Sequence, residues 1–306
     1  MQKLTVLAPA KINLTFDILG TLPDGYHEVE TILQSVDLHD QVHFDIQPAP
    51  ETTISISTNH ADVPVDDDNL IAKAAQAFAK KTGHTFHLRA ELEKAIPVGA
   101  GLGGGSADAA ATLAALNEVY FRKLQPAELE QLAASVGADV PFGISGGTKF
   151  GTKRGDFLTD VKTHIEFTFC LVKPVGLSVS TPWAYRTFDE FEGDIHKPNT
   201  KQALHGLSKG DVAEAMDGFA NVFQPVIFKH HPELAELVMQ MRKHEAWHVQ
   251  LSGSGPALFA ICPDLEHAHF LRRKLLEFAS DLEVHFCNST RKGVQVTEYL
   301  HGKATC

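Results

Sequence analysis

Basic charge is in short supply in this sequence. Lysine and arginine total 27 against 38 aspartates and glutamates, giving a formal net charge of −11 and a pI near 5.8. A nucleic-acid surface needs clustered basic charge, so no nucleic-acid partner is expected; small anionic ligands, which need only a local cluster, stay open. Cysteine is scarce too. Cys170, Cys262, Cys287 and Cys306 stand far apart without C-x-x-C spacing, which argues against a disulfide framework and a cysteine zinc site. No apolar run approaches the roughly 20 residues that span a bilayer. Met1 to Thr5 lacks the cationic and apolar segments of a secretory signal. A soluble cytoplasmic protein with no membrane partner is expected, its 306 residues enough for one large or two medium domains. Also absent are internal repeats, the Gly-Lys-Ser/Thr ending of a Walker loop, and the H-R-D and D-F-G elements of protein kinases.

Glycine, by contrast, is concentrated in one place. Ile96-Pro97-Val98-Gly99-Ala100-Gly101-Leu102-Gly103-Gly104-Gly105-Ser106-Ala107-Asp108 carries five glycines within seven positions. An alternating segment at 85–92 leads into it as a strand, and the alanine-rich segment Ser106 to Val119 leaves it as a helix. Glycine lets an oxygen-rich ligand approach backbone N–H groups, and the first four N–H groups of a helix have no internal partners. Such bonds to a charged group are worth about 1.5–3 kcal/mol each, against about 0.3–1 kcal/mol for an exposed helix dipole. Phosphate held by the N–H groups is the favoured reading; close packing of helix on strand would need only one or two glycines.

Along the chain, strands are predicted at Lys3–Leu7, Lys11–Leu19, Val29–Val36, Gln41–Ile46 and Thr52–Ser57, with a Pro23-Asp24-Gly25 turn before Tyr26 and His27. Lys11, Asn13, Thr15 and Asp17 share one strand face; Thr15 and Asp17 are read as solvated, while Lys11 and Asn13, just after Pro9, sit where a strand end can open into a cleft. Asn69 is a candidate N-cap for a helix to Thr82, and Asp66, Asp67 and Asp68 its solvated approach. A helix from Pro126 to Val136 stops near Gly137. Pro141 is expected to hold Val140 extended, leaving Asp139 beyond the helix. Short strands around Lys149 to Leu158 and an apolar strand Ile165–Val172 follow. The second half is expected to hold helices at Thr181–Phe188, Thr200–Leu207, Asp211–Phe219, Pro232–Lys243 and Leu265–Phe278. Its strands are expected at Val249–Leu251, Ala257–Cys262, Leu282–Phe286 and Gly293–Thr297. Ser252-Gly253-Ser254-Gly255-Pro256 is a second small-residue turn. This is a mixed α+β chain in two halves, divided as 1–160 and 161–306.

Two other motifs compete with phosphate transfer. Gly99-x-Gly101-x-x-Gly104 satisfies a weak dinucleotide pattern, but the helix after it is followed by the helical Pro126 segment, where a Rossmann unit needs a second parallel strand. His244-Glu-Ala-Trp-His248 satisfies H-E-x-x-H, but Trp247 to Leu251 reads as strand, which parts the two histidines; no metal-binding residues are assigned.

Several further motifs occur together and in order: Pro9-Ala10-Lys11-Ile12-Asn13-Leu14, Asp24-Gly25-Tyr26-His27, Gly101 to Ala110, Gly137-Ala138-Asp139-Val140-Pro141-Phe142, and Ser252 to Gly255. In these the chain resembles the GHMP kinases, and within them the branch that acts on a cytidine-diphosphate-linked methylerythritol. The resemblance implies an N-terminal ribosomal-protein-S5-like nucleotide-binding domain, a C-terminal ferredoxin-like α/β plait, and an active site in the cleft between them. It implies ATP and Mg²⁺, with ATP held by Pro97 to Ala107, and phosphorylation of a hydroxyl on a small cytidine-diphosphate substrate. Lys11 and Asp139 would be the catalytic pair, with Asn13, Tyr26, His27 and Tyr185 holding substrate, the last three around cytosine. A carboxylate can take the proton of an attacking hydroxyl, and an ammonium can offset charge on the transferring phosphoryl group. Asp108 is left without a role, since an acid in the first turn supports the helix yet would repel phosphate. A monomer or homodimer is expected. A sister kinase acting on mevalonate or homoserine, or a non-catalytic ATP-binding protein on the same scaffold, are the other outcomes to test.

Overall fold

Alternating apolar residues near the N-terminus extend into strands far longer than the sequence suggested. In the computed structural model, which describes residues 2–301, the first two expected strands are one, β1 (Gln2–Thr21), and the next two are one, β2 (His27–Pro48). The two pair antiparallel throughout, with register shifts between Pro9 and Lys11, Asn13 and Thr15, and Ile18 and Gly20. These bulges let the ladder pass Pro9, which lacks an N–H to donate, and re-aim the side chains after it. Lys11 and Asn13 therefore sit at bulges inside a strand, not at a strand end. Cys306 lies outside the described residues.

The first half continues with β3 (Thr53–Thr58), α1 (Leu70–Thr82), β4 (Phe86–Glu93), α2 (Gly104–Val119), α3 (Pro126–Val136), α4 (Val140–Ser145), β5 (Thr148–Thr152) and β6 (Phe157–Asp160). Asn69 caps α1 by accepting from the Ile71 N–H at 2.8 Å. β4 pairs with the second half of β2 and β5 with the first half, while the helices cover a core that includes Phe44, Phe78, Phe86 and Leu113. Val140 is helical rather than extended. Pro141 is the second residue of α4, where a helix N–H has no partner to lose and proline fits.

The second half contributes β7 (Thr168–Pro174), α5 (Thr181–Asp189), α6 (Thr200–Lys209), α7 (Val212–Asp217), α8 (Phe223–His230), α9 (Pro232–Lys243), β8 (His248–Leu251), β9 (Leu258–Cys262), α10 (Leu265–Phe278) and β10 (Leu282–Asn288). Its sheet runs β10-β7-β9-β8, all antiparallel, with helices in the β7-to-β8 and β9-to-β10 connections: the ferredoxin-like plait. Helix α8 was not expected. Its Pro225 falls in the first turn, where proline is tolerated. The division at residue 160 falls between β6 and β7. β11 (Gln295–His301) lies beyond it in sequence but returns to the first sheet, pairing with Gln2 to Leu7 and covering an edge of β1.

The two lobes share a third core, in which Ile12 and Leu14 of β1 meet Phe169 and Phe259 of the plait. This corrects the reading of the polar face of β1 as solvated: Thr15 is fully buried and Asp17 nearly so. The Thr15 hydroxyl accepts from the Ile32 N–H at 2.8 Å, and Asp17 lies 3.4 Å from the Lys197 ammonium. The Phe16 backbone exchanges hydrogen bonds of 2.9 and 3.0 Å with Ala220 and Val222 of the second lobe. Phe259 is fully buried, edge-on to Phe169 at 5.9 Å. Phe259→Ala is expected to cost about 3–5 kcal/mol of stability, as for other large-to-small core changes. Urea unfolding checks this, and a loss under about 1 kcal/mol would contradict a shared, close-packed core.

Candidate active site

The glycine loop joins β4 to α2 and touches both lobes. On one side the Lys11 N–H of β1 donates to Leu102 O at 3.0 Å. On the other the Ala257 N–H donates to Ala100 O at 3.0 Å, and the Ser252 hydroxyl to Gly101 O at 3.3 Å. Gly101 has φ +78°, and a Cβ there would lie 2.3 Å from Ser252 O; at Gly103 (φ +72°) a Cβ would lie 2.9 Å from Lys11 Cγ. Only glycine allows these approaches. Gly103 is also the N-cap of α2 and supplies no side-chain oxygen, so no cap claims the N–H groups that open the 16-residue helix. They suit an anion.

At the mouth of this loop lie the two expected catalytic groups. Lys11 Nζ is 3.6 Å from Asp139 Oδ2 and donates to Asn13 Oδ1 at 2.6 Å. The Asn13 amide in turn donates to the Thr31 hydroxyl at 2.9 Å, which donates to Thr15 O at 2.6 Å. Lys11 and Asn13 are buried, whereas the Asp139 side chain is 38% exposed to the cleft. Asp139 stands at the N-cap of α4 yet makes no side-chain cap bond. Pro141, two residues on, has no N–H to offer, so the usual N2 donor is missing and the carboxylate is free to face Lys11.

The far end of the cleft is aromatic. His27 stacks on Tyr185 with ring centroids 4.6 Å apart, and its Nε2 is 2.8 Å from Asp189 Oδ1. Tyr185 meets Phe223 edge-on at 5.0 Å; burial, helped by the Asp139 carboxylate, pushes its phenol well above the usual tyrosine range. Tyr26 is exposed, with the Arg154 guanidinium 5.1 Å from its ring centre. A single cleft of about 920 Å³ takes in Lys11, Asn13, Tyr26, His27, Asp139, Tyr185 and the loop from Pro97 to Ser106. Ala107 does not line it, being packed in the first core.

Thr31, Asn221, Asp189, Asp40 and Lys94 went unread in the sequence. Thr31 holds Asn13, and the buried Asn221 donates to Leu251 O and Gly253 O at 2.8 Å each, bracing the second glycine turn. Asp189 pairs with His27. Beneath the loop, buried Lys94 lies between Asp40 and Asp108, 3.0 Å from the latter. Burial, aided by Asp40 and opposed by Lys94, pushes the Asp108 carboxyl up to about 7; burial also works against the Lys94 ammonium, but Asp108 and Asp40 together hold its pKa above the usual lysine range. A polar residue in an apolar run, as in Phe219-Ala220-Asn221-Val222-Phe223, was the available signal for Asn221. The H-E-x-x-H histidines are parted as expected, His244 capping α9 and His248 opening β8. Among the described residues there is no group of three or more potential metal-ligating side chains, and no helix long and apolar enough to cross a membrane.

The GHMP kinases N terminal domain family matches residues 69–147, and the GHMP kinases C terminal family residues 201–281. A 4-diphosphocytidyl-2-C-methyl-D-erythritol kinase of Pelotomaculum thermopropionicum is 42% identical, covering 87% of this chain and 91% of its own. Its namesake from Clostridioides difficile is 34% identical over 97% and 98%. A solved 4-(cytidine 5'-diphospho)-2C-methyl-D-erythritol kinase superposes with a TM-score of 0.73 at 30% identity, covering 94% of this chain and 99% of that one.

Two outcomes follow from the loop and what lies beneath it. Gly101→Ala is expected to weaken equilibrium ATP binding at least about tenfold, since a left-handed alanine costs about 1–2 kcal/mol before any clash with Ser252 O; unchanged binding would contradict the apposition. For Asp108, the unfolded chain releases the carboxyl proton at about pH 4, the folded chain only at about 7. Between these values the folded state binds more protons, so this group lowers stability as pH rises through the window and adds no further change above it. D108N removes that loss. Its melting temperature relative to the unmodified protein is expected to climb between pH 5 and pH 8, and a flat difference would contradict the assignment.

Proposed function

The chain belongs to the GHMP kinases, in the family of 4-diphosphocytidyl-2-C-methyl-D-erythritol kinases, and we propose that it transfers the terminal phosphoryl group of ATP to the 2-hydroxyl of that cytidylyl substrate, a step in making isoprenoid precursors by the non-mevalonate route. The observation that carries the reading is the Lys11–Asp139 pair, 3.6 Å apart at the mouth of an uncapped glycine loop. The residues present fit ATP: helix N–H groups free for phosphate, and a cleft of about 920 Å³, large enough for a nucleotide beside a second substrate. ATP supplies the phosphoryl group. Mg²⁺ is proposed to arrive on the phosphates, its usual way of binding in kinase sites, since the described residues offer no metal cage.

Each residue then has a task. Asp139 accepts the proton of the 2-hydroxyl as its oxygen bonds to phosphorus. Lys11, fixed by Asn13, offsets negative charge on the phosphoryl oxygens, and the loop N–H groups receive the charge that passes to the leaving diphosphate. At the other end, Tyr185 and Tyr26 offer faces for the cytosine ring and His27 a hydrogen-bonding edge, which sets the acceptor hydroxyl against Asp139. The convergence of Tyr26, His27 and Tyr185 on one cleft with Asp139 supports this placement.

Asp139→Asn keeps the shape and loses the base. Turnover is expected to fall about 10²–10⁴-fold with ATP affinity retained. ADP release and equilibrium ATP binding measure the two, and near-normal turnover would remove Asp139 from the role. In the same assay the cytidylyl substrate is expected to be used in preference to mevalonate, phosphomevalonate, homoserine and galactose; a different preference would point to a sister kinase.

A further inference from the structure

The buried ions beneath the phosphate loop take no part in the transfer just described, yet their placement is specific. Asp40, at the centre of β2, is fully buried. Its Oδ1 accepts from the backbone N–H groups of Ala95 and Ile96 at 2.7 and 2.9 Å, and its Oδ2 accepts from the Lys94 ammonium. Those residues are the last before Pro97, where the loop begins. Lys94 Nζ also donates to Asp108 Oδ2 at 3.0 Å, and Asp108 belongs to α2, into which the loop runs. A Cβ on Gly104, the first residue of α2, would lie 3.0 Å from Lys94 Nζ and 3.2 Å from Ile96 Cγ2, so the glycine leaves room for this ammonium.

We propose that Asp40, Lys94 and Asp108 are positioning residues for ATP: a buried chain of charges that ties the start of the phosphate loop to its exit helix and holds the cradle in its binding shape before ATP arrives. Both ends of the loop are thereby referred to β2. Without the tie, ATP would have to order residues 97–103 on binding, and affinity would fall while the transfer itself, carried out by Lys11 and Asp139, would keep its rate. The two carboxylates have unequal parts. Asp40 fixes backbone as well as Lys94 and has no spare oxygen, whereas Asp108 has one buried oxygen without a hydrogen-bond partner and gives the chain its link to α2. An amide can replace Asp108, since its oxygen still accepts from Lys94; at Asp40 an amide turns a donor toward the ammonium.

The inference rests on the reading of the loop as an ATP site, and the experiment separates the two. Dissociation constants for ATP without acceptor, together with kcat and both KM values, are measured for D40N, D108A and D108N, with thermal melts to verify folding. D40N and D108A are expected to weaken ATP binding about tenfold or more, with kcat and the acceptor KM within about threefold of the unmodified enzyme and D108N close to it throughout. If D40N fails to fold, the contrast of D108A with D108N decides. ATP affinity unchanged in D108A would overturn the proposal. So would tighter ATP binding in D108A, which would make Lys94 a direct phosphate ligand held back by Asp108, or a fall in kcat at constant ATP affinity. Absence of ATP binding to the unmodified protein would instead defeat the reading of the loop.

Discussion

A hydrogen bond of 3.0 Å from the Ala257 N–H to Ala100 O, with Gly101 pressed against Ser252 beside it, joins the glycine loop to the second lobe. A side chain on Gly101 would part the backbones, which is why glycine stands against Ser252 there. The Lys11 N–H closes the loop from the first lobe. With the loop held from both sides, the N–H groups of α2 face a cleft whose floor is β1 and whose far wall is α5, and Lys11 and Asp139 come together at the point where the lobes meet.

The floor of the cleft carries buried polar groups that are partnered with one another. Lys11, Asn13, Thr31 and Thr15 form a continuous chain of hydrogen bonds from the ammonium to the strand backbone. Removing one member would leave others buried and unsatisfied, a penalty of about 1–3 kcal/mol per group. Asp139 stands outside that economy. Deprived of the usual cap donor by Pro141, its carboxylate faces Lys11 and the cleft. Under the loop, Asp40 and Asp108 together hold the buried Lys94 ammonium in its charged form.

Much of this was legible because local signals agreed with the fold. Asn69, Gly137 and the alternation at 85–92 mark element ends and faces through capping and pattern, and the glycine loop announces itself by density. What failed to show was long-range. Thr15 and Asp17 read as a solvated face because alternation reports two faces of a strand and not what covers them; Thr15 is taken up by hydrogen bonds to Thr31 and Ile32 of β2, and Lys197 of the second lobe reaches Asp17. β1 and β2 looked like four strands because bulges interrupt the period. Val140 and Pro141 obey the N-terminal tolerance for proline in a helix, a rule that needs the helix start to be known first. Asp40, Lys94 and Asp108 lie in three segments separated in sequence, and their meeting depends on β2, β4 and α2 being neighbours. Asp189 reaches His27 only when the two lobes face each other across the cleft.

The central claim is that the Lys11–Asp139 pair and the loop move one phosphoryl group to one hydroxyl of a cytidylyl methylerythritol. Its most direct test is phosphorus and carbon NMR of the purified protein's product with ATP, Mg²⁺ and 4-diphosphocytidyl-2-C-methyl-D-erythritol. The account predicts a new phosphomonoester resonance, equal in amount to the ADP formed and coupled to carbon 2 of the methylerythritol. ADP with only inorganic phosphate, or a phosphomonoester at a different carbon, would contradict it.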